Sequence, residues 1–136
     1  MFVLLQTNAQ LNTCAESFLN FFDYGTPWLP DFNNLNSSQS KNLESVYRIR
    51  LKNAFAAVHL NLVSVNATCF REKTDPHSSG IVEPFLDILF GLGGDIMEIT
   101  LEKVLGAVQK YSRQKQLNWF DIQANLTVFP NPRCMQ

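Results

Sequence analysis

The 136-residue chain has no apolar run approaching the roughly 20 residues needed to cross a bilayer as a helix. A membrane-spanning class is therefore excluded from the expectations. No basic residue precedes the short apolar run Phe2–Leu5, so a signal-peptide reading is not supported, and residence in the cytoplasm of the producing cell is expected, either free or built into a virion or other large assembly. Only three cysteines occur, Cys14, Cys69 and Cys134, with no C-x-x-C pair and no neighbouring histidine. Buried or half-buried thiols are expected rather than a disulfide framework or a zinc site, with Cys134 the most reachable. Charged residues make up 17% of the chain, 11 basic against 12 acidic, and no run of like charge is present. A clustered basic face for phosphate is missing, so neither nucleic acid nor membrane is expected as a partner. Asn-x-Ser/Thr triplets begin at Asn36, Asn66 and Asn125. In a chain this rich in asparagine they arise by chance and matter only on a secretory route, so glycosylation is not expected.

What is present is apolar patterning over an amide-rich background, in one domain spanning 1–136. Leu11, Ala15, Phe18 and Phe22 recur at helical spacing and predict a helix over 9–22. Tyr24 to Gln39 is rich in glycine, proline, asparagine and serine and reads as a loop. That loop carries Trp28, Leu29 and Phe32 on a stiffened segment, either packed over its own core or presented as an anchor for a partner. Over 40–65, Tyr47, Leu51, Phe55, Val58, Leu62 and Val65 form a helical stripe. Strand alternation through Tyr47–Leu51 and Val58–Leu62 also fits, but Ala54, Ala56 and Ala57 favour the helix. REKTDPHSSG at 71–80 reads as a surface loop. Pro84 then suits the first turn of a helix through Phe85–Phe90 that is apolar nearly all round, and so either central or covered by another chain. Asp95 and Glu98 match a capping box that opens a helix with the stripe Met97, Leu101, Val104, Leu105, Val108 and Tyr111. Trp119 to Phe129 alternates as a half-buried strand whose partner must be Phe2–Gln6, an extended 45–65 region, or a strand of a neighbouring subunit.

No motif identifies catalysis. GLGGD at 91–95 lacks the Lys-Ser/Thr ending of a phosphate loop and reads as an interhelical turn. Asp75, His77, Ser78 and Ser79 supply triad residue types, but neighbours in one loop seldom converge as a triad does. His59 reads as a structural residue. Glu83 and Asp87 would share a helix edge, with no histidine at metal spacing.

The expected fold is mainly α with a few short strands; the alternative is α+β, an antiparallel sheet packed against helices. An amino-terminal helix, a loop, a middle segment open to strand formation, a helical section and the strand LNWFDIQANLTVF resemble the layout of phage neck and tail-terminator proteins. The resemblance is one of layout over most of the chain, without a shared motif, and implies a virion subunit with no residue role to transfer. The leading expectation is a non-enzymatic structural or interaction protein. It has no cofactor, no catalytic or metal residues, and protein partners in a homo-oligomer or multi-copy assembly. The expected contact residues are Trp28, Leu29, Phe32, Phe85, Phe90, Trp119 and Phe129. The alternatives are a small enzyme built around His77 and a helical ligand-binding module with a cavity lined by Phe18, Phe22 and Phe90.

Overall fold

The computed structural model describes residues 13–75, 78–91 and 99–130. In chain order these form β1 (Thr13–Pro27), a 3-10 turn (Pro30–Asn33), α1 (Ser38–Ala56), β2 (Leu62–Asp75), β3 (Ser78–Phe90), α2 (Leu101–Gln114), β4 (Trp119–Ala124) and β5 (Thr127–Pro130). All pairings are antiparallel in a sheet ordered β2-β3-β1-β4, with β5 also on β1. The order places β3 between β1 and β2, and β1 between β3 and β4. Two β-α-β units thus interleave, the split arrangement of β-α-β-β-α-β domains. The expectation of a mainly helical fold is corrected: the protein is α+β, with two helices among the described residues.

Two segments read as helices are strands, and in both the cause is a strand apolar on both faces. In β1, Ala15, Ser17, Leu19, Phe21 and Asp23 are buried, while Phe18, Asn20 and Phe22 point to the opposite side. Ala15, Phe18 and Phe22 therefore do not share a face, and their helical spacing is incidental to a period of two. In β3 the even positions Val82 to Phe90 are buried and the odd positions half-buried, the continuous apolar run of a strand with neighbours on each side. Pro84 sits inside that strand, not at a helix start. The β1 ladder is interrupted between Asn20↔Phe85 and Asp23↔Val82, the stretch facing the proline that has no N–H to give. The polar stretch 71–80 is correspondingly the end of a β2–β3 hairpin, with strand pairing continuing to Asp75↔Ser78.

The helices follow the sequence more closely. Helix α1 occupies the first two thirds of the ambiguous stretch and buries Leu43, Tyr47, Leu51, Ala54 and Phe55. Its N-terminus is capped by the Ser37 hydroxyl, which accepts from the Ser40 amide at 3.1 Å. At the other end His59 adopts φ 62°. The Leu60 amide donates to the Phe55 carbonyl and the His59 amide to Ala56. This is a Schellman stop without glycine, which is why the sequence shows no break before β2. Helix α2 is capped by Thr100 and buries Val104, Ala107 and Val108. The expected cap at Asp95–Glu98 lies outside the described residues. Gln116, at φ 54°, closes α2 in the same way, with the Leu117 amide on the Ser112 carbonyl.

Both helices lie on one side of the sheet, α1 against β2 and α2 against β4, in contact with each other. Between them and the sheet, Phe21 stacks on Trp119 at 4.2 Å between centroids, and Phe55 meets Phe90 edge-on at 4.9 Å. The terminal strand finds its partner within the chain, in none of the three places expected. It pairs with β1, the segment read as the first helix.

Candidate interaction surface

The helices cover one face of the sheet, and no described element packs across the other. The strand registers place the side chains of that second face in rows. Asn66, Asp87 and Phe18 share one row, with Asn125 beyond Phe18. Cys69, Phe85, Asn20 and Gln123 form the next, then Arg71, Glu83, Phe22 and Phe120. The position of Phe120 depends on a bulge. The β1–β4 register shifts between Asn20 and Phe22, and Asp121 takes φ 53°. One extra residue reverses the alternation. Phe120 emerges on the helix-free face, while Ile122 and Ala124 turn back to the core. Strict alternation through Trp119–Phe129 would place Phe120 and Ile122 on the same side.

This face is apolar at its centre but partly dressed by its own cations. The Arg71 guanidinium lies 4.8 Å over the Phe85 ring and the Lys73 ammonium 4.9 Å over Phe22, an arrangement that shields the rings while holding charge at their faces. Asn20 donates to Glu83 at 3.2 Å. Three aromatic rings remain open: Phe18 at 48% exposure, Tyr24 at 40% and Phe120 at 54%. Tyr24 and Phe120 meet edge-on at 5.4 Å.

The edge of the sheet at β2 is blocked at Val65 and Ala67 by side chains of α1. Glu44 and Arg48 of α1 form an ion pair at 3.1 Å. The Glu44 carboxylate accepts from the Ala67 amide at 2.7 Å and the Arg48 guanidinium donates to the Val65 carbonyl at 3.2 Å. Side chains from the helix thus occupy backbone groups that would otherwise template another strand.

Beneath the opposite end of the sheet lies a buried polar knot. Asp23 is 1% exposed. It accepts from the Tyr47 hydroxyl at 2.7 Å, the Thr26 hydroxyl at 2.6 Å and the Gly25 amide at 3.0 Å. Burial first, and then the adjacent Asp23 charge and hydrogen bond, raise the Tyr47 hydroxyl well above its ordinary pKa. The phenol stays protonated and acts as a donor, tying α1 to β1. Nearby, Gln109, Ser112, Arg113, Trp119, Phe120, Asp121 and Ile122 line an open cleft of about 390 Å³. The buried Trp119 Nε1 has no acceptor among the described residues.

The residues expected to make contacts divide sharply. Phe32, Phe90 and Trp119 are core residues, at 4%, 0% and 5% exposure. Trp28 is half-buried against the core and meets Phe32 edge-on at 5.5 Å. The loop therefore packs Trp28 and Phe32 over its own chain, and of the three expected contact residues there only Leu29 is exposed. Phe85 and Phe129 are half-buried, Phe85 on the helix-free face. Phe18 and Phe22 lie on that face while Phe90 lies under the helices, so the three do not line a common cavity. Glu83 and Asp87 sit on one strand, four residues and about 13 Å apart along it at the usual strand rise, not paired on a helix. His77 lies outside the described residues. His59 is the exposed left-handed residue at the end of α1. Among the described residues no group of histidine, cysteine or carboxylates is placed to hold a metal. No described helix is long and apolar enough to cross a membrane.

One expectation about the cysteines is overturned: Cys14 is disulfide-bonded, while Cys69 is free. Cys134 lies outside the described residues.

No family model and no curated protein matches the chain. The layout resemblance to phage neck and tail-terminator proteins loses its basis, because the segment taken as an amino-terminal helix is β1 and the segment taken as a later helix is β3.

Proposed function

We propose that the chain is a non-enzymatic interaction domain, a subunit of a larger assembly, that makes protein contact through the helix-free face of its sheet. The observation carrying this reading is the exposed Tyr24–Phe120 pair beside Phe22. It forms an aromatic patch flanked by Lys73 and Arg71 on one side and by the bulge that aims Phe120 outward on the other. Aromatic rings beside a cation are the residue types that dominate binding energy at protein interfaces. The low charge of the surface lowers the repulsion that keeps copies apart. The bulge adds support, since such irregularities commonly re-aim a side chain where a strand has a task. Contact is by side chains on the sheet face and not by strand addition at β2, where Glu44 and Arg48 already hold the backbone.

Light scattering of the purified chain tests this. A mass above that of the monomer is expected at high concentration, reduced by Phe120→Ser. A strict monomer that also captures no partner through this face, with Phe120→Ser indistinguishable from the parent, refutes it.

A further inference from the structure

We propose that the chain carries N-linked glycans at Asn66 and Asn125, on the two margins of the helix-free face, with Asn36 a third acceptor. The triplets Asn66-Ala67-Thr68, Asn125-Leu126-Thr127 and Asn36-Ser37-Ser38 have the required spacing without a central proline. Spacing alone is weak, and cytoplasmic residence would make it meaningless. The disulfide at Cys14 changes that premise, because disulfides form and persist in oxidising compartments, among them the lumen in which N-glycans are attached, and are rare in the cytosol.

The fold supplies the second argument. All three asparagines are exposed, although asparagine side chains in strands and turns are often drawn into backbone bonding. Asn66 is exposed on β2, between the Val65 carbonyl and the Ala67 amide that Arg48 and Glu44 hold. Asn125 lies in the break between β4 and β5. Its Oδ1 accepts from the Phe18 amide at 2.8 Å and its own amide donates to the Phe18 carbonyl at 3.2 Å. That bond engages Oδ1 and not Nδ2, the reacting atom, on a residue that is itself exposed. Asn66 and Asn125 therefore bracket Phe18 in one cross-strand row. Glycans at both positions would cover the exposed Phe18 end of the face and leave the Tyr24–Phe120 end open. Asn36 stands apart, in the turn that precedes α1.

In the transfer, Nδ2 attacks the anomeric carbon of an oligosaccharide carried on a polyprenyl diphosphate. The N–C bond forms, the bond from that carbon to the diphosphate oxygen breaks, the polyprenyl diphosphate leaves with the electron pair, and one amide proton passes to the transferring enzyme. No oxidant or reductant is consumed.

The test is to produce the full chain through the secretory route of a eukaryotic cell and measure its intact mass before and after treatment with a peptide N-glycosidase. A fall of at least two glycans is expected, with peptide mapping of the unsubstituted chain showing conversion of Asn66 and Asn125 to aspartate. Asn66→Gln and Asn125→Gln should each remove one glycan, while Thr68→Ser should retain it. A secreted chain unmodified at both positions overturns the proposal, and because the readout is mass on the parent chain, poor folding of a variant cannot obscure it. Alkylation of the folded protein should label Cys69 before reduction and Cys14 only after it. Labelling of Cys14 without reduction removes the argument from compartment and overturns the proposal equally. Neither readout depends on whether Phe120 mediates contact.

Discussion

Tyr47→Phe deletes a single hydroxyl from a site with no solvent to replace it. The phenol oxygen lies 2.7 Å from Asp23 Oδ2, Tyr47 is fully buried, and Asp23 is 1% exposed. A hydrogen bond to a charged group contributes about 1.5–3 kcal/mol, and its loss inside the fold leaves the acceptor partly unsatisfied. Thr26 and Gly25 still donate to the carboxylate, so the expected cost at neutral pH is about 2 kcal/mol, near the lower part of that range. With an unfolding entropy of about 2.1 cal/mol/K per residue, this corresponds to a fall in Tm of about 7 °C. The pH dependence makes the assay specific. Because the Tyr47 hydroxyl titrates higher in the folded than in the unfolded chain, the unfolded state is the first to release that proton as pH rises. The stabilisation is therefore complete below about pH 10, the ordinary phenol value, and declines above it toward the folded pKa. Urea unfolding from pH 7 to 11 should show the parent losing its advantage over Tyr47→Phe only at the alkaline end. A cost below about 0.5 kcal/mol, within the range of an ordinary surface substitution, or a difference between the proteins that stays constant across the range, would mean that the Tyr47–Asp23 bond does not hold α1 to β1.

Further consequences follow from particular residues. Gln116→Gly should raise stability by about 1 kcal/mol in chemical unfolding, since Gln116 is exposed and holds a left-handed conformation that glycine adopts without a Cβ penalty; destabilisation would contradict the helix stop described. Phe90→Ala should cost about 3–5 kcal/mol by removing a fully buried ring packed on Phe55. A mild effect on unfolding accompanied by a change in oligomeric state would return Phe90 to the surface. Glu44→Ala should release the Ala67 amide on the β2 edge and increase concentration-dependent aggregation, monitored by light scattering. Unchanged solubility would mean that the edge is protected by something other than the Glu44–Arg48 pair.

The candidate face was hidden from the sequence for a definable reason. A strand exposes its period of two only when one face is polar, and β1 and β3 carry phenylalanine or leucine on both. Phe18, Phe22 and Phe85 were all visible as large apolar residues, yet their placement required knowing that 13–27 is extended. A period-two reading of Ala15, Ser17, Leu19, Phe21 and Asp23 would have shown a second alternating set, but two of its five members are polar. Asp23 resembles a solvent-facing residue until Tyr47, 24 positions later, is brought against it. The left-handed stop at His59 and the bulge at Asp121 were equally silent, because neither uses the glycine that usually marks such conformations.

Local chemistry in the chain was enough to set helix α2, the body of helix α1 and an extended segment after Trp119, because stripes at 3.6 residues, alanine-rich turns and alternation are properties of neighbours. Only the assembled sheet decided that the two most apolar segments are its central strands, that the last strand closes onto the first, and that Phe120 faces outward while Trp119 is buried. Those choices depend on hydrogen bonds and side-chain contacts between residues up to about a hundred positions apart, as between Phe18 and Asn125, and no window along the chain contains both partners.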